Sequence, residues 1–276
     1  MTGAAASRLL DVLIHRVSLA SVLERIEGWI DGGGVHQIVT VNLDFVRQAR
    51  SDLAFRAVLG MADLAIPDGM GVVWASRLSG DAVPERVTGV ELVERSADLA
   101  TRRGYSLFLL GAEPGVADDA AAELVRRHPG LRIAGIYSPP IGPFSDADNR
   151  RMIRLIRRAQ PDMLFVAFGA PRQDLWIRQH RRELGVPVCV GVGGTFNFLA
   201  GRVPRAPRWM QRAGMEWLHR LIQDPRRLWR RYLVHDVPLF GRFILARLIP
   251  SRSVRSLLLA GEPVTDHIAG TIEAAA

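Results

Sequence analysis

Tyr105-Ser106-Leu107-Phe108-Leu109-Leu110, then the turn Gly111-Ala112-Glu113-Pro114-Gly115, then the helical pattern from Val116 to His128, is the stretch on which the fold turns. A short unbroken apolar run fits a strand covered on both faces, and the periodic segment after it fits a covering helix. The same unit recurs downstream. Arg132 to Tyr137 reads as a strand, Asp146 to Ala159 as a helix, Met163 to Phe168 as a strand, Pro171 to Glu183 as a helix and Val186 to Val192 as a strand. Strands alternating with helices of this length predict an α/β fold, Rossmann-like, with a mainly parallel sheet and helices on both faces.

Upstream, helix-spaced apolar residues (Leu9, Leu13, Val17, Leu23, Ile26, Ile30) predict a helix from Arg8 to Ile30, broken by Gly32-Gly33-Gly34. A strand from His36 to Val41, a helix from Asn42 to Gly60, a short strand from Leu64 to Ile66, and helices from Gly69 to Leu78 and Glu91 to Arg103 follow. Four strand-like runs end in glycine-bearing turns: Pro67-Asp68-Gly69-Met70-Gly71, Gly111 to Gly115, Gly169-Ala170-Pro171-Arg172-Gln173, and Gly191-Val192-Gly193-Gly194-Thr195. If the strands are parallel, all four turns face one crevice. Asp68 is then placed either to serve as a catalytic carboxylate or to cap the helix that follows.

With 276 residues, 48% hydrophobic and 23% charged, the chain has the makeup of a globular protein with a sizeable core. Its single Cys189 lies in an apolar run, which excludes a disulfide framework and favours a reducing, cytosolic setting. No stretch reaches the ~20 apolar residues of a membrane span, so a soluble or membrane-peripheral protein is expected. The net charge of +8 comes entirely from arginine, as there is no lysine, and a Walker-type phosphate loop is thereby excluded.

After Gly201 the alternation stops. Residues 202 to 231 hold nine arginines against Glu216 and Asp224, with Trp209, Trp217, Trp229 and Tyr232 interleaved. This composition suits a surface that meets anionic headgroups, phosphates or nucleic acid, and it equally suits a solvated face docked by its tryptophans. The expected organisation is an α/β core over 1–201, a helical Arg/Trp-rich appendage over 202–250 and a flexible tail over 251–276.

Thr40-Val41-Asn42, Pro67-Asp68-Gly69-Met70-Gly71, Glu85-Arg86-Val87-Thr88-Gly89, Leu110-Gly111 with Pro114-Gly115-Val116, Gly169-Ala170-Pro171-Arg172-Gln173, and Gly191-Val192-Gly193-Gly194-Thr195-Phe196 through Arg205-Ala206-Pro207 stand in an order that resembles the WecG/TagA/CpsF glycosyltransferase family over about residues 10 to 235. The resemblance implies an inverting, metal-independent transfer of a sugar, such as N-acetylmannosamine or its uronic acid, from a UDP-sugar to a polyprenyl-diphosphate-linked saccharide. It also implies cell-surface polysaccharide synthesis on the cytoplasmic membrane face, with no cofactor and no nucleic-acid partner. The sugar and the oligomeric state stay open.

Carried onto this chain, the resemblance makes Asp68 the catalytic base, with Thr40 beside it. Asn42, Arg86, Gly111, Gly169, Gln173, Gly191, Gly193, Gly194 and Asn197 become candidate substrate-binding residues, and Arg205, Arg208, Arg212, Arg220, Arg227 and Arg230 candidates for acceptor phosphate or membrane. Glycines at strand ends let backbone N–H groups approach an anion, and an arginine fork suits a departing diphosphate. Each has a plainer reading: Thr-x-Asn as an ordinary strand exit, Arg86 as a surface arginine, Gln173 as a solvated first-turn residue. Asn197 stands where the family is expected to carry Asp, so a role there that needs negative charge is in doubt.

Asp146-Ala147-Asp148 mimics a metal-binding Asp-x-Asp but opens a helix after Ser145, which favours capping, and His180 on an Arg-rich helix reads as exposed. Two other functions compete: a nucleotide-sugar oxidoreductase or epimerase, which lacks its glycine fingerprint after Val41, and a non-enzymatic arginine-rich binder of nucleic acid or anionic membrane.

Overall fold

In the computed structural model, residues 6–10 and 12–248 are described, and the tail expected over 251–276 lies outside the described residues. The chain opens with β1 (Ala6–Leu9) and β2 (Val12–His15), an antiparallel hairpin pairing Ala6 with His15 and Leu9 with Val12. The helix expected from Arg8 is therefore corrected to a hairpin followed by α1 (Leu19–Gly32). Two-residue periodicity wins because Leu9, Val12 and Ile14 are all buried from the same face of the ribbon, which a helix cannot arrange. Helix begins only at Ser18, where Ser18 and Ser21 cap each other's backbone amides.

After β3 (His36–Val41), the single helix expected over 42–60 is two, α2 (Leu43–Ser51) and α3 (Leu53–Met61). Asp52 divides them: its amide closes α2 on Gln48 O while its Oδ1 accepts the Phe55 amide at 2.9 Å to start α3. From there the elements follow the expected alternation: β4 (Leu64–Pro67), α4 (Met70–Ser79), α5 (Gly89–Arg103), β5 (Ser106–Gly111), α6 (Val116–Arg127), β6 (Arg132–Tyr137), α7 (Asp146–Ala159), β7 (Met163–Ala167), α8 (Arg172–Leu184) and β8 (Val188–Gly191).

Six strands form one parallel sheet in the order β4-β3-β8-β7-β5-β6. β3 leads to one edge and β5 to the other, and β8, last in sequence, fills the gap between β3 and β7. Successive side chains alternate between two apolar layers. Ile38, Leu64, Leu107, Phe165 and Val190 pack under α1, α5, α6 and α9 (Thr195–Leu199), while Val39, Ala65, Leu110, Val166 and Cys189 face the helices of the opposite side. The chain is thus an α/β protein with a Rossmann-like parallel sheet.

Short helices follow: α10 (Arg208–Arg212), α11 (Glu216–Gln223), α12 (Pro225–Trp229), a π-helical stretch (Arg230–Asp236) and α13 (Val237–Leu248). α13 returns to the core, with Leu239 and Phe243 buried among Phe45, Val72 and Val73. Gly214, with φ of 74°, lets the turn before α11 seat on α4, since a Cβ there would lie 2.7 Å from Trp74 and 2.8 Å from Met70. The C-terminal segment therefore crosses the carboxyl end of the sheet.

His180 is not exposed. Its side chain is 13% accessible and packs on Trp176 at 5.2 Å, and burial lowers its pKa.

Gly111 ends β5 with φ of 105°, and a Cβ added there would lie 2.8 Å from Ala167 O. Gly111→Ala is expected to combine positive-φ strain with overpacking against backbone, a loss of roughly 3 kcal/mol. For a chain of this size that lowers Tm by roughly 6–12 °C, measurable by circular dichroism.

Candidate functional site

A crevice of about 490 Å³ opens at the carboxyl ends of β4, β3, β8 and β7. Thr40, Asn42, Asp68, Arg86, Gly169, Gln173, Gly193 and Gly194 line it from the core, and Trp217, Arg220, Tyr232, Asp236 and Phe240 close it from the C-terminal segment. The expectation of four turns facing one crevice is corrected to three. The Gly111 turn belongs to β5, which β7 separates from β8, so Gly111 instead packs on Ala167 and Phe168.

Each core residue is held by backbone geometry. Thr40, 4% exposed, donates its hydroxyl to Gly191 O at 3.0 Å, which ties β3 to β8 at the crevice floor. Asn42 caps α2, its Oδ1 accepting the Phe45 amide at 3.2 Å. Asp68 follows β4, its amide donating to Val41 O at 2.8 Å. Asp68 is not the N-cap residue of α4: that position is Gly69, one residue on, with φ of 109° and no side chain to cap with. Gly191 lies beneath the lining, its carbonyl accepting from Thr40.

Gln173 is not a solvated first-turn residue. It is 1% exposed, and its Oε1 accepts the Gly193 amide at 2.9 Å, bridging the start of α8 to the turn after β8.

Nor is Arg86 a surface arginine, because its side chain is 12% exposed. Its Nη1 donates to Glu216 Oε2 at 2.9 Å, with Glu91 Oε1 3.8 Å from Nη2. Arg205 completes a neutral quartet, 3.5 Å from Glu91 and 3.6 Å from Glu216. Sequence reasoning missed Glu216 as the partner that joins α11 to the core. It also missed Asp236 and Phe240 as lining residues, while Trp217 and Tyr232 stood out only as aromatics among arginines.

The other expected residues lie apart. Asn197, half-buried on α9, accepts the Val203 amide through its backbone carbonyl and does not line the crevice. Arg208 and Arg212 on α10 are exposed, Arg227 sits on α12, and Arg230 is exposed with its guanidinium 5.7 Å from the Trp229 ring centre. Of the five whose side chains are described, Arg220 alone lines the crevice, stacked 4.6 Å over Phe198. Trp209 and Trp229 are 61% and 46% exposed, so these two tryptophans do not dock the segment onto the core.

Asp148 serves in a capping box with Ser145, whose hydroxyl and amide hold its carboxyl below the usual range. Among the described residues no group of three or more His, Cys, Asp and Glu is placed to hold a metal ion.

Residues 7–253 match the model of the glycosyl transferase WecG/TagA/CpsF family. A Bacillus subtilis strain 168 protein named N-acetylglucosaminyldiphosphoundecaprenol N-acetyl-beta-D-mannosaminyltransferase is 34% identical over 211 residues, 75% of this chain and 78% of its own length. Proteins of the same name from Bacillus spizizenii and Staphylococcus aureus strain MW2 are 36% and 30% identical, spanning 71% and 74% of this chain and 74% and 77% of theirs. The chain belongs to the WecG/TagA/CpsF family and is a glycosyltransferase.

Proposed function

We propose that this enzyme transfers a hexosyl group of the N-acetylmannosamine type from a UDP-sugar to a polyprenyl-diphosphate-linked saccharide, with inversion and without a metal, in cell-surface polysaccharide synthesis. The observation that carries the reading is the convergence of Asp68, Thr40, Asn42, Arg86 and Gln173 on one crevice at the strand ends. The relatives' names supply the acceptor class and the sugar.

In this reaction the acceptor hydroxyl oxygen forms its bond to the anomeric carbon as the bond from that carbon to the UDP oxygen breaks. The electron pair departs with UDP, and the acceptor's proton passes to Asp68. The Gly194 backbone and the Arg86 and Arg220 guanidinium groups line the crevice where a diphosphate would sit, with the Gly193 amide held by Gln173.

Among the described residues no helix is long and apolar enough to cross a membrane. Trp209, Trp229, Leu233, Val234, Ile244 and Leu248 are exposed along the C-terminal segment, amid exposed arginines, which supports a peripheral contact with the inner face of the cell membrane.

The test is UDP release from a panel of UDP-sugars with a short-chain polyprenyl-diphosphate GlcNAc acceptor, in EDTA. Acceptor-dependent release from a UDP-hexosamine, unchanged by the chelator, is expected. Release only after a divalent cation is restored sinks the metal-free mechanism, and no release from any donor sinks the donor assignment.

A further inference from the structure

Asp174, on the first turn of α8, is 0% exposed beneath the crevice. It lies over Gly191: a Cβ added to that glycine would lie 2.5 Å from Asp174 Oδ1 and 2.6 Å from Gln173 Nε2. Carboxyl and carboxamide thus share one niche on the backbone of β8. Gln37, itself fully buried, anchors the same turn by donating Nε2 to Asp174 O at 2.9 Å.

Neither Asp174 oxygen has a well-aligned hydrogen-bond partner among the described residues, and the Gln173 amide is the side-chain donor beside them. Burial raises the carboxyl to about 7, partly opposed by that amide. Charged groups on α8 and the elements around it are engaged elsewhere. Arg172 stacks on Phe144, Arg178 donates to Met61 O, and Arg181 pairs with Asp63, which also faces His36.

Gln173 has two ends with different demands. Its oxygen accepts the Gly193 amide, so its NH₂ points toward the niche. A flipped amide would set donor against donor at Gly193, and an acceptor in the niche is what disfavours that flip. Thr40 is tied to the same site through Gly191 O.

We infer that Asp174 is a positioning residue: its carboxyl is the acceptor that keeps the Gln173 carboxamide nitrogen turned into the shared niche, and it so fixes Gln173 and the Gly193–Gly194 turn against the substrate. The effect on turnover rests on the glycosyl-transfer reading above, whereas the effect on Gly193 does not.

The first readout is the Gly193 amide resonance in the intact protein, followed by NMR from pH 5 to 9. Wild type is expected to shift with a midpoint near the Asp174 titration, about 7. Asp174→Asn keeps an acceptor oxygen of the same size and is expected to give a Gly193 resonance that no longer titrates there. A wild-type resonance flat across that range, or a titration that survives in Asp174→Asn, overturns the inference.

The second readout is turnover. Asp174→Asn is expected within about threefold of wild-type kcat/KM, while Asp174→Leu and Gln173→Ala each lose about tenfold or more and the double variant loses no more than either. Additive losses place Asp174 outside the Gln173 linkage and overturn it. If Asp174→Leu does not fold, the Asp174→Asn resonance decides, and a protein that turns over no sugar nucleotide still gives the NMR answer.

Discussion

Asp68→Asn lowers kcat by about 10² to 10⁴ while leaving Tm and donor KM near their wild-type values. General-base assistance is worth that factor, and asparagine keeps the shape and an acceptor oxygen while losing the ability to take a proton at neutral pH. The structure sharpens the experiment, because the N-cap position of the helix after Asp68 is Gly69, so the substitution leaves the N-cap residue unchanged. The backbone of the turn stays pinned by the Asp68 amide on Val41 O and the Val87 amide on Pro67 O. Rates of acceptor-dependent UDP release, with thermal melts of both proteins, provide the check. Turnover retained within a few-fold assigns the proton to another group, and a large drop in Tm reassigns Asp68 to structure.

The parallel sheet was legible because its strands are apolar on both faces and its helices long enough to cross back; Leu107 to Leu110 is buried without exception. The N-terminal hairpin was not. Its Leu9, Leu13 and Val17 also fit a helical spacing, and its tight turn at Leu10, with φ of 56°, carries no glycine to announce it. Strand order was equally hidden. No local pattern reveals that β8 inserts between β3 and β7, and that insertion brings Thr40 to Gly191 while setting the Gly111 turn apart.

Residues of the core half of the site were legible as motifs at strand ends, since a turn's chemistry is written locally. Those of the covering half were not. Glu216 matters through a partner 130 positions away, and Asp236 lines the crevice from a π-helical stretch whose register no sequence period predicts. Gln173 shows the same contrast: its place at a helix start was visible, but its bond to Gly193 required knowing that β7 and β8 are neighbours.

Arg86→Gln is expected to lower kcat/KM by about 10² to 10³, the scale of losing one preorganised charge at a leaving group. Two effects are mixed in that figure. The guanidinium is lost to the substrate, and Glu216 is left beside Glu91 with only the more distant Arg205 as counter-charge, which costs about 3 kcal/mol of stability. Glu216→Gln separates them. Placed in the Arg86→Gln background it relieves the stranded carboxylate, so Tm is expected to recover while turnover stays low. Recovery of both assigns Arg86 the sole task of seating α11 over the crevice, whereas recovery of neither shows that the quartet is needed intact. Thermal melts and UDP-release rates on the two single variants and the double decide among the three, because a field acting on the leaving diphosphate cannot be restored by neutralising Glu216.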